Sequence, residues 1–327
     1  MKKVGILGAC GMVGGTMLQV LRERNLPISQ LYLFDVAATA GTQVEFMGKT
    51  ITVEESTMDI FDRGLDICLF AVDGPISKKY APIAAEKGCV VIDNSSAWRM
   101  EPGVPLVVPE VNAPDIFTHK GIIANPNCST IQAMVALFPL HKAFGIKRVI
   151  YSTYQSVAGA GVAGIADLKR TANGEAPQVF PYPIAGNVIP RIDVFEDNGY
   201  TGEEMKMILE TKKILHAPDM AVTATTVRVP VEIGHSESIN LEFEKPYELD
   251  EVRRILENAP GIIVQDDREK DFYPTPKLIA GTDEVYVGRI RRDFSAENAL
   301  NMWVVADNVR KGAATNAVQI AQKLISG

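Results

Sequence analysis

"KVGILGACGMVGGTMLQVLRER", residues 3–24, is the stretch on which the fold turns. "KVGILG" (3–8) is a short apolar run of the kind that forms a buried strand, and "MVGGTMLQVLRER" (12–24) carries apolar residues at helical spacing. Between them "GACGMVG" (8–14) spaces its glycines G-x-x-G-x-x-G, not the G-x-G-x-x-G of the usual dinucleotide fingerprint. The physics is the same. Gly8 permits a tight turn, Gly11 lets a pyrophosphate approach the backbone, and Gly14 allows close helix–strand packing; the helix N-terminus favours the anion. Met12 and Val13 open that helix and join the three glycines as candidate cofactor-binding residues. The plain alternative is a glycine-rich turn that binds nothing. "MKKVGILGAC" also resembles a lipoprotein signal. Its apolar part falls short of the ~7–15 residues of a signal core, and the strand–turn–helix reading accounts for it better.

Outward from this stretch the pattern repeats. "LYLFD" (31–35), "DICLFAV" (66–72) and "CVVIDNS" (89–95) read as strands, with a helix over "PISKKYAPIAAEKG" (75–88). Alternation of this kind predicts a parallel sheet with helices on both faces, and ligands at the carboxyl ends of the strands. Asp35 ends the second strand. A carboxylate there accepts hydrogen bonds from a ribose and repels a 2′-phosphate, and the following "VAATAGT" has no Arg or Lys to hold one. The chemistry therefore leans to NAD.

From about residue 147 the rhythm changes. "RVIYSTYQSVAGAG" (148–161), "AVTATTVRVPVEIGHSESINLEFE" (221–244) and "NMWVVADN" (301–308) are long β-rich segments. A Pro/Gly-rich stretch, 173–193, separates the first two. Residues 199–215 read as a helix that Thr201 and Glu204 start with a capping box, and a last helix covers roughly 310–325. At 327 residues the chain is long for one core and suggests two domains. Its net charge of −7 disfavours nucleic-acid and anionic-membrane binding. The basic "RIRRD" (289–293) is too short to alter that and reads as a solvated or ion-paired strand. No apolar run nears the ~18 residues needed to span a bilayer. Four cysteines, Cys10, Cys68, Cys89 and Cys128, are widely spaced without CxxC. That fits neither a disulfide framework nor a metal site and suggests a reducing cytoplasm.

"IIANPNCSTIQ" (122–132) places Cys128 after a strand-like run, at the first turn of a helix, where a parallel sheet presents ligands. Such a thiol is either a small core hydrophobe or an activated nucleophile that would meet the nicotinamide end of the cofactor. Of the four histidines, His235 stands out, in the small-residue turn "IGHSES". Arg228 interrupts the strand "TATTVRVPV", where a buried guanidinium requires a carboxylate from protein or substrate. Glu203 and Lys206 share a helix face, more often as a solvated pair than as a site.

Together "NPNCST", "YSTYQSVAGAG", "EEMKMILETKKIL", "TVRVPVEIGHSES" and "VADNVRKGAATNAVQIA" resemble aspartate-β-semialdehyde dehydrogenases, in order along the whole chain. "SSAWRM" (95–100) and the chain length are most similar to the Gram-positive-type branch. The resemblance implies a Rossmann-like dinucleotide-binding domain, residues 1–128 with a C-terminal segment 308–327, and an α+β catalytic and dimerisation domain with a mixed sheet, 129–307. It implies a cytoplasmic homodimer that reduces β-aspartyl phosphate to aspartate semialdehyde and releases phosphate, through an acyl thioester, in amino-acid biosynthesis. By the same resemblance Cys128 is the nucleophile, His235 the acid/base catalyst and Gln155 the residue that orients the substrate. Arg228 clamps the substrate carboxylate and Glu203 lies near its amino group. Arg99, Asn127 and Lys206 bind phosphate, and Ala158, Gly159 and Asn308 contact the nicotinamide half of the cofactor. The family most often uses NADP, with Ser and Arg after the second strand; "FDVAATAG" departs from that, so NAD or dual use stays open. Four other readings remain. One is another phosphorylating semialdehyde dehydrogenase of this fold. The others are a non-catalytic dinucleotide-binding homologue, a Cys–His hydrolase and an acyltransferase.

Overall fold

The computed structural model describes residues 1–326; Gly327, the end of the 308–327 segment, lies outside the described residues. The chain divides into two compact units, residues 1–127 with those from 313 onward, and Cys128–Gly312. Residues 128 and 308–312 thus fall in the second unit.

The first unit runs β1 (Lys2–Leu7), α1 (Met12–Glu23), β2 (Ile28–Asp35), β3 (Gln43–Phe46), β4 (Lys49–Glu55), β5 (Ile67–Phe70), α2 (Gly74–Glu86), β6 (Val90–Asp93), the short α3 (Pro109–Asn112) and β7 (Ile122–Ala124). Its sheet has the order β3-β4-β2-β1-β5-β6-β7 and is parallel except at one edge. The central strands are apolar throughout because both faces are covered. Val4, Ile6, Ile67 and Leu69 enter one core with α1, whereas Leu7, Cys68 and Phe70 enter another with Tyr80, Ala81 and Ala84 of α2. The wholly parallel sheet predicted from the alternation needs one correction. β3 and β4 form an antiparallel hairpin whose two-residue loop, Met47–Gly48, has positive φ at both positions (49° and 77°), the geometry that matches strand twist.

The second unit runs α4 (Cys128–Phe144), β8 (Ile146–Gln155), α5 (Gly161–Ala172), α6 (Gly202–Ile214), β9 (Ala221–Arg228), β10 (His235–Phe243), α7 (Leu249–Glu257), β11 (Ile262–Val264), α8 (Pro276–Ile279), β12 (Val285–Asp293) and β13 (Ala299–Ala306). The chain closes with α9 (Asn316–Ser326), whose Ala317, Val318, Ile320 and Ala321 complete the first core of the first unit. The second sheet, β11-β12-β13-β10-β8-β9, is mixed: β11/β12 and β8/β9 pair parallel, the rest antiparallel. Thr201 and Glu204 form the capping box that starts α6.

Three expectations shift in detail, and the reading of 289–293 as an ion-paired strand holds. The β-rich segment 148–161 stops at Gln155 and turns through a 3-10 turn, Val157–Ala160, into α5. His235 is the first residue of β10, not part of the turn, which ends at Gly234 (φ 95°). The last helix is preceded by a π-turn, Arg310–Thr315. The "RIRRD" segment closes β12; Arg289 takes a positive φ of 52° at an interruption of the pairing with β13, and Arg292 pairs with Glu248 at 2.9 Å.

Candidate active site

Strand register brings three candidates into one line. Gln155 of β8 and Arg228 of β9 are directly opposed. His235 of β10 pairs with Ala306 of β13 and lies one step beyond the Ser236–Tyr154 pair, hence opposite Gln155. Facing residues of neighbouring strands project to the same side of a sheet. His235, Gln155 and Arg228 therefore form a row across three strands, and all are buried, at 0%, 1% and 6% exposure.

Cys128 is the first residue of α4 and is partly exposed, where a helix N-terminus favours an anion. Ser129 behind it is fully buried and accepts a hydrogen bond from Gln155 Nε2. One turn on, Gln132 Nε2 donates to the His235 carbonyl at 3.3 Å, which ties the start of α4 to the start of β10. Gly312 closes on the same residue: a Cβ there would lie 3.0 Å from Cys128 Cβ. π-turns such as the one holding Gly312 often mark functional sites.

Gln155 Nε2 also donates to Glu203 Oε1 at 3.1 Å. Glu203 is buried, which corrects the reading of Glu203 and Lys206 as a solvated pair. Lys206 Nζ lies 3.2 Å from Glu203 Oε2 and 2.8 Å from Asp193 Oδ2. Arg228 Nη1 donates to the Ser156 carbonyl at 2.7 Å. Burial lowers its pKa, and the charges of Glu203 and Cys128 offset part of that. His235 is held well below an ordinary histidine by burial and by Arg228, with a partial offset from the Gly234 carbonyl. A neutral imidazole, a guanidinium, a carboxylate and a thiol thus share one compartment.

Gly159 would clash as any other residue, because a Cβ there would stand 2.6 Å from Arg228 Nη1. Ala158 is buried, its amide donating to the Glu232 carbonyl at 3.0 Å. Asn308 Oδ1 accepts from the Gly234 amide at 2.9 Å and from Ser156 Oγ at 3.0 Å. Ser156, Gln132 and Gly312 were not singled out by sequence reasoning. The only sequence signal for them is their position beside Gln155, Cys128 and Asn308.

In the first unit, Gly8 takes φ +87°, and a Cβ there would meet the Ala71 carbonyl oxygen at 2.4 Å. A Cβ on Gly14 would lie 2.0 Å from the Gly8 carbonyl oxygen. Gly11 caps α1 with no side chain and no acidic residue follows in the first turn, so Met12 and Val13 begin a helix open to an anion. This cradle fits a dinucleotide. Asp35 Oδ2 accepts from the Cys10 amide at 2.6 Å and Oδ1 from the Val36 amide at 2.7 Å, fixing the carboxylate beside the turn. Arg99 is buried, with Nε on the Asn125 carbonyl at 3.0 Å and Nη2 on the Asn94 carbonyl at 2.9 Å. Asn127 is buried as the last residue of this segment. Cys68 and Cys89 are core residues, the Cys89 thiol pushed up to about 12 by burial.

Comparison with known proteins agrees with this division. Residues 3–119 match the family described as semialdehyde dehydrogenase, NAD binding domain, and residues 137–311 match semialdehyde dehydrogenase, dimerisation domain. The chain is 54% identical over 332 residues to an aspartate-semialdehyde dehydrogenase of Aquifex aeolicus, covering 99% of this chain and 98% of that protein. It is 47% identical to one from Bacillus subtilis, covering 98% and 96%. The crystal structure of aspartate semialdehyde dehydrogenase II from Vibrio cholerae complexed with ASA superposes with a TM-score of 0.96 at 47% identity, covering 100% of this chain and 98% of that one. The chain belongs to the aspartate-semialdehyde dehydrogenase family.

Proposed function

We propose that this chain catalyses the reversible, reductive dephosphorylation of L-aspartyl-4-phosphate to L-aspartate 4-semialdehyde, as an NAD(P)-dependent homodimer. The observation that carries the reading is the buried row of His235, Gln155 and Arg228, tied through Gln132 to the helix that Cys128 opens. Cys128 attacks the acyl carbon and holds it as a thioester. Gln155, fixed between Ser129 and Glu203, orients the acyl group. Arg228 offers a guanidinium fork that suits the substrate α-carboxylate, and Glu203 a carboxylate that suits its ammonium. Arg99, Asn127 and Lys206 are assigned to phosphate, where cations stabilise the charge that leaves or arrives. Ala158, Gly159 and Asn308 are assigned to the nicotinamide half of the cofactor, which when bound supplies the hydride.

Asp35 weighs for NAD. Its carboxylate is anchored beside the glycine turn, and residues 36–42 supply no cation for a 2′-phosphate. The test is formation of reduced nicotinamide from L-aspartate semialdehyde, with NAD and NADP in parallel, each with and without phosphate. Phosphate-dependent reduction supports the reading, and the better cofactor reports what Asp35 does. No reduction with either cofactor sinks it.

A further inference from the structure

Arg228 is boxed in by neighbours that the chemistry above does not use. The ring of Phe180 lies against its guanidinium, with Arg228 Cζ over the ring and 5.8 Å from the centroid. Nη1 is held by the Ser156 carbonyl, and a Cβ on Gly159 would stand 2.6 Å from that same nitrogen. The backbone of Arg228 is clamped as well. Its amide donates to the Ile189 carbonyl at 2.8 Å, and its carbonyl accepts from the Ile189 amide at 2.9 Å. Phe180 and Ile189 both belong to the Pro/Gly-rich stretch 173–193, which holds none of the catalytic or binding residues named above.

This stretch is fastened to α5. Asp167, 1% exposed, accepts three successive amides: Gln178 at 2.7 Å on Oδ1, then Val179 and Phe180, each at 3.1 Å, on Oδ2. Thr171 Oγ1, one turn on, accepts the Ala185 amide at 3.2 Å. Ile184 and Ile189 are buried with Val157, and Phe180, Ile165 and Leu168 pack around them. Ordering such a segment costs conformational entropy, which charge-assisted bonds to a carboxylate offset.

A ring suits this place for a physical reason. The face of an aromatic ring is its negative part and attracts a cation that sits over it. A guanidinium can rest its face on a ring and still present N–H groups at its edge, where a carboxylate binds in plane. An acidic neighbour would also steady the cation, but it would compete with a substrate carboxylate for those N–H groups. Phe180 supports the charge, which burial disfavours, without consuming a donor.

Taking Arg228 as the clamp on the substrate α-carboxylate, we propose that Phe180 is a positioning residue for substrate recognition: its ring, held in place by Asp167, backs the Arg228 guanidinium and leaves its N–H edge free for the substrate. The role lies in binding the semialdehyde and not in the bond-making steps.

Steady-state kinetics of the full-length enzyme in the phosphate-dependent direction tests this. Phe180→Leu keeps an apolar side chain and removes the ring face. Its KM for L-aspartate semialdehyde should rise about three- to thirtyfold, the range for losing a cation–π contact, with a smaller change in kcat. Phe180→Tyr keeps the ring face and should hold KM near wild type. Asp167→Asn turns one acceptor oxygen into an N–H donor among the amides, and its KM should rise in the same way. With Arg228→Ala in place, Phe180→Leu should add nothing, because the cation it supports is gone. An unchanged KM in Phe180→Leu overturns the proposal, as does a tyrosine variant as impaired as the leucine one. So does a full further loss from Phe180→Leu when residue 228 is already alanine. An Asp167→Asn variant with wild-type KM overturns the part given to the anchor. If Arg228→Ala itself leaves KM unchanged, the clamp reading falls and takes this proposal with it. If Arg228→Ala raises KM while Phe180→Leu does not, only this proposal falls.

Discussion

Gly159 stands against the guanidinium of Arg228: a Cβ at Gly159 would lie 2.6 Å from Arg228 Nη1 and 3.5 Å from His235 Cε1. The bond from Arg228 Nη1 to the Ser156 carbonyl holds that guanidinium in place. A methyl group therefore competes directly with the position of Arg228. Gly159→Ala should raise the KM for the semialdehyde at least about tenfold, the equivalent of ~1.4 kcal/mol, if Arg228 clamps the substrate. Steady-state kinetics checks this. An unchanged KM would mean that Arg228 has another task.

Cys128→Ala removes the thiol proposed as nucleophile and leaves the glycine turn of the first unit untouched. Turnover should vanish while NAD(P) binding, measured by calorimetry, keeps its affinity. Loss of cofactor binding would instead mark the thiol as structural. Arg228→Lys should weaken substrate binding more than it slows turnover, because an ammonium cannot reproduce the two-pronged contact proposed for the guanidinium. Kinetics indistinguishable from wild type would remove Arg228 from the substrate site.

The parts of this site legible in the sequence are those in which local chemistry decides. Gly8 and Gly14 are required by backbone approaches that any Cβ would block, and Thr201 with Glu204 is a local capping signal. The position of Cys128 at a helix start was readable because a strand, Asn-Pro-Asn and an apolar helix occur in succession. The rest depends on pairing between distant segments. Ser156 meets His235 across 79 residues and Asn308 across 152, and no local pattern encodes either contact. The burial of Glu203 could not be read from a charged helix face, since tertiary packing sets it. The β3–β4 hairpin was missed because its Met-Gly loop lacks the Asn-Gly or Asp-Gly signal of such turns.

The α6 cap offers a test of stability apart from chemistry. Thr201 Oγ1 accepts from the Glu204 amide, and Glu204 Oε2 accepts from the Thr201 amide at 2.7 Å. Glu204 Oε1 also accepts from the Thr226 amide at 3.0 Å, joining the helix start to β9. Thr201→Ala should destabilise the protein by about 1 kcal/mol, the usual cost of a lost cap. Glu204→Ala should cost more, because it also leaves the Thr226 amide unpaired. Urea denaturation of the two variants checks the order. A Glu204→Ala variant as stable as Thr201→Ala would show that the link to β9 contributes nothing.

Directly beneath the row of His235 and Gln155 lies a second one. Glu237 of β10 opposes Thr153 of β8, which opposes Thr226 of β9. Glu237 is fully buried, and neither of its carboxyl oxygens has a hydrogen-bond partner among the described residues. Burial first, and the Glu203 charge second, raise its pKa well above the ordinary 4.5 of glutamate. The sign of the pH effect follows. Below pH 4.5 the carboxyl is protonated in both folded and unfolded chains and adds no pH dependence. Above it the unfolded chain releases the proton while the folded one retains it, so stability falls as pH rises until the folded group also ionises. Glutamine mimics the neutral acid and has no proton to lose. Glu237→Gln should therefore gain stability relative to wild type as the pH is raised from about 4.5 towards neutrality, with little difference near pH 4. Denaturation midpoints of the two proteins across that range test this directly. Parallel curves would mean that Glu237 is ionised in the folded protein and that a cation reaches it.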